Sequence, residues 1–245
     1  MTTPPGSTVR HLVRDDAGQV ADTAADLILD VLETDSAVGL ATGSSPLGAY
    51  QEIVRRVRLG ATASPVARRG FLLDEYLGLP AGDPNTYASV IRREVADALG
   101  LDVRGPDGQA ADPEQEAERY GREVVAASVA VQVLGIGRNG HLGFNEPGSS
   151  LDSQTRVVRL TESTRRDNAR FFDSPADVPT HAITQGLATL MQARRLVLIV
   201  LGERKAEAVH AALHGPVDPA CPASVLQRHP DAYVVTDREA AAAVR

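Results

Sequence analysis

A histidine and a glutamate lie five residues apart in a glycine-rich segment, residues 135–147, and could exchange protons there. They are His141 and Glu146. Imidazole titrates near neutral pH, and a neighbouring carboxylate can orient it and stabilise its charge. The pattern predicts an acid–base pair in a wide loop; the alternative is that His141 only bonds the loop together. A metal site is not expected, because no second histidine or cysteine lies at ligand spacing.

The same segment contains a formal Gly-x-Gly-x-x-Gly at Gly135, Gly137 and Gly140. A dinucleotide site would need these glycines to open a helix at the first strand–helix turn of the fold. Gly143 and Pro147 interrupt any such helix, and the segment comes late in the chain. We therefore expect no dinucleotide cofactor.

A second candidate carboxylate, Asp74, follows the apolar run Phe71–Leu73, with Glu75 next to it. Adjacent residues of an extended chain point to opposite sides, so only one of the two can face a given pocket. A carboxylate at a strand end is a candidate general base, and an ordinary pKa of about 4 would leave it ionised at pH 7. A helix cap or a surface ion pair is the alternative.

The segment from Thr42 to Pro46 suits an anion such as phosphate. Gly43 allows backbone conformations there that other residues avoid, and Pro46 fits the first position of a helix. Hydroxyls are supplied by Thr42, Ser44 and Ser45. The free amides and the dipole of a helix start attract anions, although the spacing of a Walker loop is missing. A serine-capped helix is the alternative.

Lys205 is the only lysine among 25 basic residues, and it lies at the predicted start of a helix. A cation at that end of a helix interacts unfavourably with the helix dipole. A bound anion beside it would explain why a lysine occurs at this position. A solvated lysine is the alternative.

Apolar runs and amphipathic segments alternate along most of the chain. The runs predict buried strands at Ala37–Ala41, Phe71–Leu73, Val131–Ile136, Leu196–Leu201 and Ala232–Thr236. Helices are predicted at about Gln19–Glu33, Pro46–Val57, Thr86–Leu99, Pro113–Ala127 and Arg204–Leu213. The alternation indicates one α/β domain over residues 1–245, with a mainly parallel sheet and helices on both faces. Ligands of such sheets bind beyond the carboxyl ends of the strands, where the candidate residues lie.

Two stretches do not follow the alternation. Residues 104–113 are rich in proline, glycine and aspartate and are interpreted as a surface loop. Residues 151–182 are polar and rich in arginine, which predicts either a lid or a solvated insertion.

The composition excludes several classes of protein. The chain has 245 residues, a net charge of −7 and 4% aromatic residues, so nucleic-acid binding is not expected. No apolar run reaches the ~18–20 residues of a membrane helix, and no signal-peptide core follows the N-terminus. Cys221 is the only cysteine, so no internal disulfide can form and a cytoplasmic location is expected.

Five segments carry a more specific pattern, in order and over almost the whole chain. They are Gly39–Pro46, Leu73–Pro80, Gly135–Pro147, Asn168–Asp173 and Leu201–Ala206. Together they resemble the glucosamine-6-phosphate deaminase (isomerising) family. The resemblance implies one Rossmann-like domain that converts glucosamine 6-phosphate and water into fructose 6-phosphate and ammonia, without a redox cofactor or metal.

The resemblance also implies roles for particular residues. Asp74 matches the base that moves the C2 proton to C1, and His141 with Glu146 matches the pair that opens the sugar ring. Residues 151–182 match the family's lid. Asn139 stands where many members carry aspartate, which leaves His141 one anionic neighbour and affects the expected pH optimum. The phosphate-binding positions match Thr42, Gly43, Ser44, Ser45, Arg170 and Lys205.

Regulation is expected to differ from that of many bacterial members, which are hexamers activated by N-acetylglucosamine 6-phosphate. Ser149 and Arg156 match the effector site, but Val158 stands where a second basic residue would be. The longer C-terminal segment of those members is also missing. We expect hyperbolic kinetics without activation and, if a homo-oligomer forms, one smaller than a hexamer.

Two other functions share parts of the pattern. A 6-phosphogluconolactonase has the same fold and binds a phosphate group in a similar way, but it needs no base for a C2 proton. It also lacks the Gly-Phe-Asn-Glu-Pro sequence found here at residues 143–147. A sugar-phosphate sensor would carry a DNA-binding helix pair, and too few residues precede the first strand for one. The expected partner is a small sugar phosphate rather than a nucleic acid or a membrane.

Overall fold

A computed structural model describes residues 9–32, 36–61 and 69–244. Within these residues the strands are β1 (Arg10–Arg14), β2 (Ala37–Leu40), β3 (Arg69–Leu72), β4 (Asp74–Tyr76), β5 (Asp102–Arg104), β6 (Val131–Leu134), β7 (Arg156–Arg159), β8 (His181–Thr184), β9 (Arg195–Val200) and β10 (Ala232–Asp237). Seven of them form one sheet in the order β1-β10-β9-β6-β2-β3-β5, and every neighbouring pair is parallel. The predicted parallel α/β sheet is confirmed.

Eight α-helices occur in the described residues: α1 (Ala17–Leu29), α2 (Ser44–Arg58), α3 (Tyr87–Ile91), α4 (Asp97–Leu99), α5 (Pro113–Ala127), α6 (Glu162–Asn168), α7 (Leu187–Leu190) and α8 (Ala206–His214). A π-helical turn, Arg92–Ala96, joins α3 to α4. Several helices start where a side chain accepts a hydrogen bond from the amide three residues on: Asp16 for α1, Thr86 for α3, Asp112 for α5 and Thr161 for α6. None of these helices is long and apolar enough to cross a membrane.

The helices cover both faces of the parallel sheet. On one face, Val20 of α1 and Tyr50 of α2 pack with sheet residues such as Val133. On the other face, Tyr120 of α5 and Val209 of α8 belong to a second core cluster. Because strands covered on both sides must be apolar throughout, the central strands read as continuous apolar runs in the sequence.

The observed bounds agree with the predicted elements to within a few residues. Helix α5 matches the prediction at both ends, whereas α1 ends at Leu29 and the predicted end at Glu33 lies outside the described residues. Strands β1 and β5 were not predicted. Each pairs along one side only and is partly exposed, so neither shows a continuous apolar run. Arg104 therefore ends a strand and does not begin the surface loop.

A second, smaller sheet was also missed. It is antiparallel, in the order β4-β8-β7, and only Leu73 separates β3 from β4. The chain thus leaves the carboxyl end of the parallel sheet at β3 and enters the small sheet with Asp74 as its first residue. The segment interpreted as a lid or an insertion, residues 151–182, supplies β7, α6 and the start of β8.

Candidate active site

Asp74 lies opposite Thr184 in the small sheet, and its side chain is buried, with 5% exposed. Within the described residues no hydrogen bond reaches the Asp74 carboxyl group. Burial and then the nearby charge of Glu75 raise the pKa of Asp74 well above its ordinary value. The expectation of an ordinary, low pKa for Asp74 is therefore wrong.

Glu75, the neighbour of Asp74, has a structural role. Its carboxylate accepts hydrogen bonds from the backbone amides of Tyr76 at 2.8 Å, Tyr87 at 2.9 Å and Ala88 at 2.9 Å. It thereby holds the start of α3 against β4. The expected opposite orientation of the two carboxylates is confirmed, and the helix-cap interpretation applies to Glu75 and not to Asp74.

The glycine-rich segment, residues 135–147, folds tightly around His141. The amide of Gly137 donates to the carbonyl of His141 at 3.0 Å. The imidazole ring lies so close to Gly137 that a Cβ there would sit 2.3 Å from its Cε1 atom. Gly140 adopts a φ of 85°, which favours glycine. The fold of the loop itself therefore requires glycine at Gly137 and favours it at Gly140.

Glu146 accepts hydrogen bonds at both of its carboxylate oxygens. Its Oε2 atom accepts from Asn139 Nδ2 at 2.7 Å and lies 3.4 Å from His141 Nδ1, an ionic contact without hydrogen-bond geometry. Its Oε1 atom accepts from the hydroxyl of Thr164 and lies 3.4 Å from the hydroxyl of Thr161. Burial opposes the charge, but the contacts with His141, Thr164 and Asn139 outweigh it and lower the pKa of Glu146 to about 2.

Asn139 bonds to both partners of the predicted acid–base pair. Besides its contact with Glu146, its Oδ1 atom accepts from the backbone amide of His141 at 3.3 Å. An amide can donate one bond and accept the other, whereas an ionised aspartate could not donate to Glu146. The asparagine thus suits the ionised state of Glu146 in this chain.

The start of α2 is open to a ligand. Gly43 stands at the N-cap with a φ of 112°, and no side chain of the described residues caps the helix. The first turn contains Ser44, Ser45 and Pro46 and no acidic residue. The interpretation as a serine-capped helix is therefore wrong, and the amides of this turn remain available to an anion.

Lys205 ends a 3₁₀ turn, Glu203–Lys205, and is the N-cap residue of α8, so it lies at the start of a helix as predicted. Its Nζ atom donates to the carbonyl of Ile136 at 2.8 Å. Burial, then the charges of Arg138 and Arg170, lower the pKa of Lys205, against the opposing charge of Asp167. A cluster of cations therefore stands beside the glycine-rich segment.

The glycine-rich segment brings the other parts of the site together. A Cβ on Gly143 would lie 3.1 Å from Asp74 Oδ2, and a Cβ on Gly135 would lie 3.9 Å from Pro46 Cδ at the start of α2. Ile136 receives the bond from Lys205. The strand-end carboxyl, the helix start and the lysine thus all border this one segment.

Some site residues were not singled out from the sequence. Tyr76, Tyr87, Phe144 and Phe172 pack as an aromatic cluster beside Asp74. The hydroxyl of Tyr76 accepts from Asn168 Nδ2 at 2.8 Å. Tyr76 could have been predicted as a site residue, because it follows Asp74 directly in the sequence. Its contact with α6 could not, because nothing in the sequence places that helix against it.

The residues that match the family's effector site lie in and beside β7. Arg156 donates to Asn145 Oδ1 at 2.8 Å and to Ser149 Oγ at 3.2 Å. Val158 lies opposite Ala182 in the small sheet. In the described part of the chain, no group of three or more histidine, cysteine, aspartate or glutamate side chains is placed to hold a metal ion.

Known proteins resemble this chain along most of its length. The family described as glucosamine-6-phosphate isomerases/6-phosphogluconolactonase matches residues 10–235. A glucosamine-6-phosphate deaminase of Rhodococcus opacus is 50% identical over 235 residues, 94% of this chain and 90% of that protein. The deaminase of Streptomyces coelicolor is 49% identical over 231 residues, 92% of this chain and 87% of that protein.

Solved structures of known proteins also superpose on this chain over most of its length. A monomeric glucosamine-6-phosphate deaminase superposes with a TM-score of 0.91 at 37% identity, covering 96% of this chain and 99% of that one. A 6-phosphogluconolactonase of Trypanosoma brucei superposes with a TM-score of 0.74 at 19% identity, covering 98% and 100% of the two chains. The latter likeness concerns the fold alone.

Proposed function

Since this chain belongs to the glucosamine-6-phosphate isomerase/6-phosphogluconolactonase family, we propose that it converts glucosamine 6-phosphate and water into fructose 6-phosphate and ammonia. Relatives at 50% and 49% identity carry the name of that deaminase. The observation that supports the proposal most is the buried carboxyl group of Asp74 beside the segment that bears His141 and Glu146. Moving a proton between carbons needs such a base, whereas hydrolysing a lactone does not.

The phosphate group of the substrate binds, in this proposal, at the start of α2. The uncapped amides after Gly43 donate to it, and the hydroxyls of Thr42, Ser44 and Ser45 complete its surroundings. Lys205 and Arg170 add positive charge. A dianion there would also offset the burial and the repulsion from Arg138 and Arg170 that lower the pKa of Lys205.

Ring opening is assigned to His141 and Glu146. His141 takes the proton of the C1 hydroxyl and returns one to the ring oxygen as the bond between C1 and that oxygen breaks. Glu146 stays ionised because its pKa is lowered to about 2, so its charge stabilises the imidazolium that forms in between. The product of this step is the open-chain aldehyde.

Asp74 carries the isomerisation. The ammonium group at C2 of the substrate places a positive charge near Asp74, which favours the ionised carboxylate despite its burial. The carboxylate takes the C2 proton while the C1 oxygen gains a proton from the ammonium group, which gives an enolamine. The resulting carboxylic acid then gives its proton to C1, and C2 becomes a protonated imine. The imine left at C2 adds water and releases ammonia. A raised pKa suits a group that must accept a proton and then return it.

The test is an assay of ammonia and ketose release from glucosamine 6-phosphate, galactosamine 6-phosphate and unphosphorylated glucosamine, with lactone hydrolysis measured alongside. We expect ammonia and fructose 6-phosphate in equal amounts from the first, and very little reaction with unphosphorylated glucosamine. Hydrolysis of 6-phosphogluconolactone without ammonia release from any amino sugar would overturn the proposal.

We also propose that the protein works in the cytoplasm. Its single cysteine, Cys221, is free and half-buried, which fits a reducing compartment.

A further inference from the structure

Helix α6 contacts the candidate site along one of its faces. Thr164, Asp167 and Asn168 are three and four residues apart, so they share a face of the helix. Thr164 bonds to Glu146, Asp167 forms an ion pair with Arg138 at 3.0 Å, and Asn168 bonds to Tyr76.

A chain of two hydroxyl groups reaches Glu146 from this face. Thr161 Oγ1 lies 3.0 Å from Thr164 Oγ1, and Thr164 Oγ1 contacts Glu146 Oε1. Each hydroxyl has one proton, and an ionised carboxylate can only accept. Thr164 therefore donates to Glu146, and the Thr161 hydroxyl lies 3.4 Å from the same Oε1 atom and closer, at 3.0 Å, to Thr164 Oγ1, to which it donates.

The two oxygens of Glu146 are held by different parts of the chain. Asn139 and His141, in the glycine-rich segment, contact Oε2, whereas Thr164 of α6 contacts Oε1. A carboxylate held at one oxygen only can rotate about its terminal bond. Held at both, it keeps Oε2 directed towards His141.

The hydroxyl of Thr164 is not needed to start α6. The cap is made by the backbone amide of Thr164, which donates to Thr161 Oγ1 at 3.1 Å. The hydroxyl itself points to Glu146, and Thr164 is buried, with 8% exposed. Removing the hydroxyl therefore leaves the cap in place and removes the bond to the carboxylate together with the bond from the Thr161 hydroxyl.

We propose that Thr164 is a positioning residue, whose hydroxyl fixes the Glu146 carboxylate so that it stabilises the imidazolium of His141 during ring opening. The proposal rests on the proposed function, since it assigns Thr164 to the ring-opening step. Thr164 acts through Glu146 and does not touch the sugar in this account.

The first experiment compares three variants. Thr164→Val removes the hydroxyl and keeps the shape, Thr164→Ser keeps the hydroxyl, and Ser163→Val introduces valine on the exposed side of the same helix. We expect Thr164→Val to lower kcat about tenfold and to leave KM within about twofold, because the lost bond is to a charged group and not to substrate. Thr164→Ser and Ser163→Val should turn over like the wild type.

The second experiment places Thr164→Val in a Glu146→Gln background, with thermal unfolding recorded for every variant. If Thr164 acts through the charge of Glu146, the additional loss of kcat in that background is small. The same tenfold loss in both backgrounds, or wild-type kcat in Thr164→Val, would overturn the inference. Thr164→Ala gives the same comparison if the valine variant does not fold.

These outcomes differ from a failure of the proposed function. If the wild-type protein releases no ammonia from glucosamine 6-phosphate, the proposed function is wrong and the inference falls with it. If the wild type is active and Thr164→Val is equally active, the inference alone is wrong.

Discussion

Two carboxylates of this protein, one buried and one half-buried, have pKa values shifted in opposite directions. Burial and the charge of Glu75 raise the pKa of Asp74, at the start of β4, well above its ordinary value. Glu146, in the glycine-rich segment, is also desolvated, yet its pKa is lowered to about 2. Donors explain the difference. The Glu146 carboxylate lies beside His141 and accepts hydrogen bonds from Thr164 and Asn139. No described residue donates a hydrogen bond to the Asp74 carboxyl group.

The difference teaches how one site can hold two acids with distinct tasks. A group whose charge is hardly stabilised can take up a proton and return it, as an acid–base catalyst must. A group held by several donors stays charged and can only stabilise a neighbouring cation. In this account, Asp74 has the first task and Glu146 the second.

Removing the titrating group should have the largest effect. Asp74→Asn keeps the size of the side chain but cannot accept a proton, so we expect kcat to fall at least ~10²-fold with KM largely kept. Steady-state ammonia release measures this, with circular dichroism as the control for folding. Near-normal turnover in this variant would contradict the role of Asp74.

Removing a basic residue of the proposed phosphate site should weaken substrate binding and leave the roles of Asp74 and Glu146 unchanged. Lys205→Ala and Arg170→Ala each remove a charge-assisted contact of ~1.5–3 kcal/mol, so we expect KM to rise about 10–100-fold. Arg166→Ala, on an exposed position of α6, is the matched control. If the two variants bind substrate and inorganic phosphate as the wild type does, the phosphate site is elsewhere.

Stability against pH should separate the two carboxylates. The lowered pKa of Glu146, about 2 against an ordinary 4.5, contributes stability that is present above pH 4.5 and is lost as the pH falls through 2. Glu146→Gln should therefore lower the free energy of unfolding at pH 7 by ~1–3 kcal/mol. The loss should shrink at lower pH.

Asp74 should behave in the opposite sense. Its raised pKa means that its contribution is complete below its ordinary pKa of 3.8 and is lost as the pH rises through the folded-state pKa. Asp74→Asn should thus be more stable than the wild type at pH 8 and equally stable at low pH. Urea unfolding across this pH range measures both variants. A loss of stability in Asp74→Asn at pH 8 would show that Asp74 is charged at little cost.

The smallest effect concerns regulation. Val158 cannot bind a phosphate group, and the loss of one charged contact of ~1.5–3 kcal/mol weakens binding about 10–100-fold. We expect rate against substrate to be hyperbolic and unchanged by N-acetylglucosamine 6-phosphate. A sigmoidal curve that the compound makes hyperbolic would contradict this expectation and leave both carboxylate roles intact.

The sequence predicts the parallel sheet and most of the candidate site because these depend on local pattern. Apolar runs mark the central strands, and the candidate residues follow where those strands end. The candidate acid–base pair is also predicted from local sequence, since His141 and Glu146 stand five residues apart.

The small sheet and the contacts of α6 depend on distant parts of the chain. Strand β4 has only three residues, and its residue Glu75 pairs with Ile183 of β8, more than a hundred residues away. Thr164 reaches Glu146 only because the chain folds back over β7. The raised pKa of Asp74 likewise follows from burial, which its neighbours in sequence do not specify.

The central claim, that Asp74 moves a proton at C2 of the sugar, is tested most directly by exchange in D₂O. Glucosamine 6-phosphate is incubated with the enzyme, and the substrate recovered before completion is examined by NMR for deuterium at C2. The account predicts exchange with the wild type and none with Asp74→Asn, while both still bind the substrate. Exchange at the wild-type rate in Asp74→Asn would contradict it.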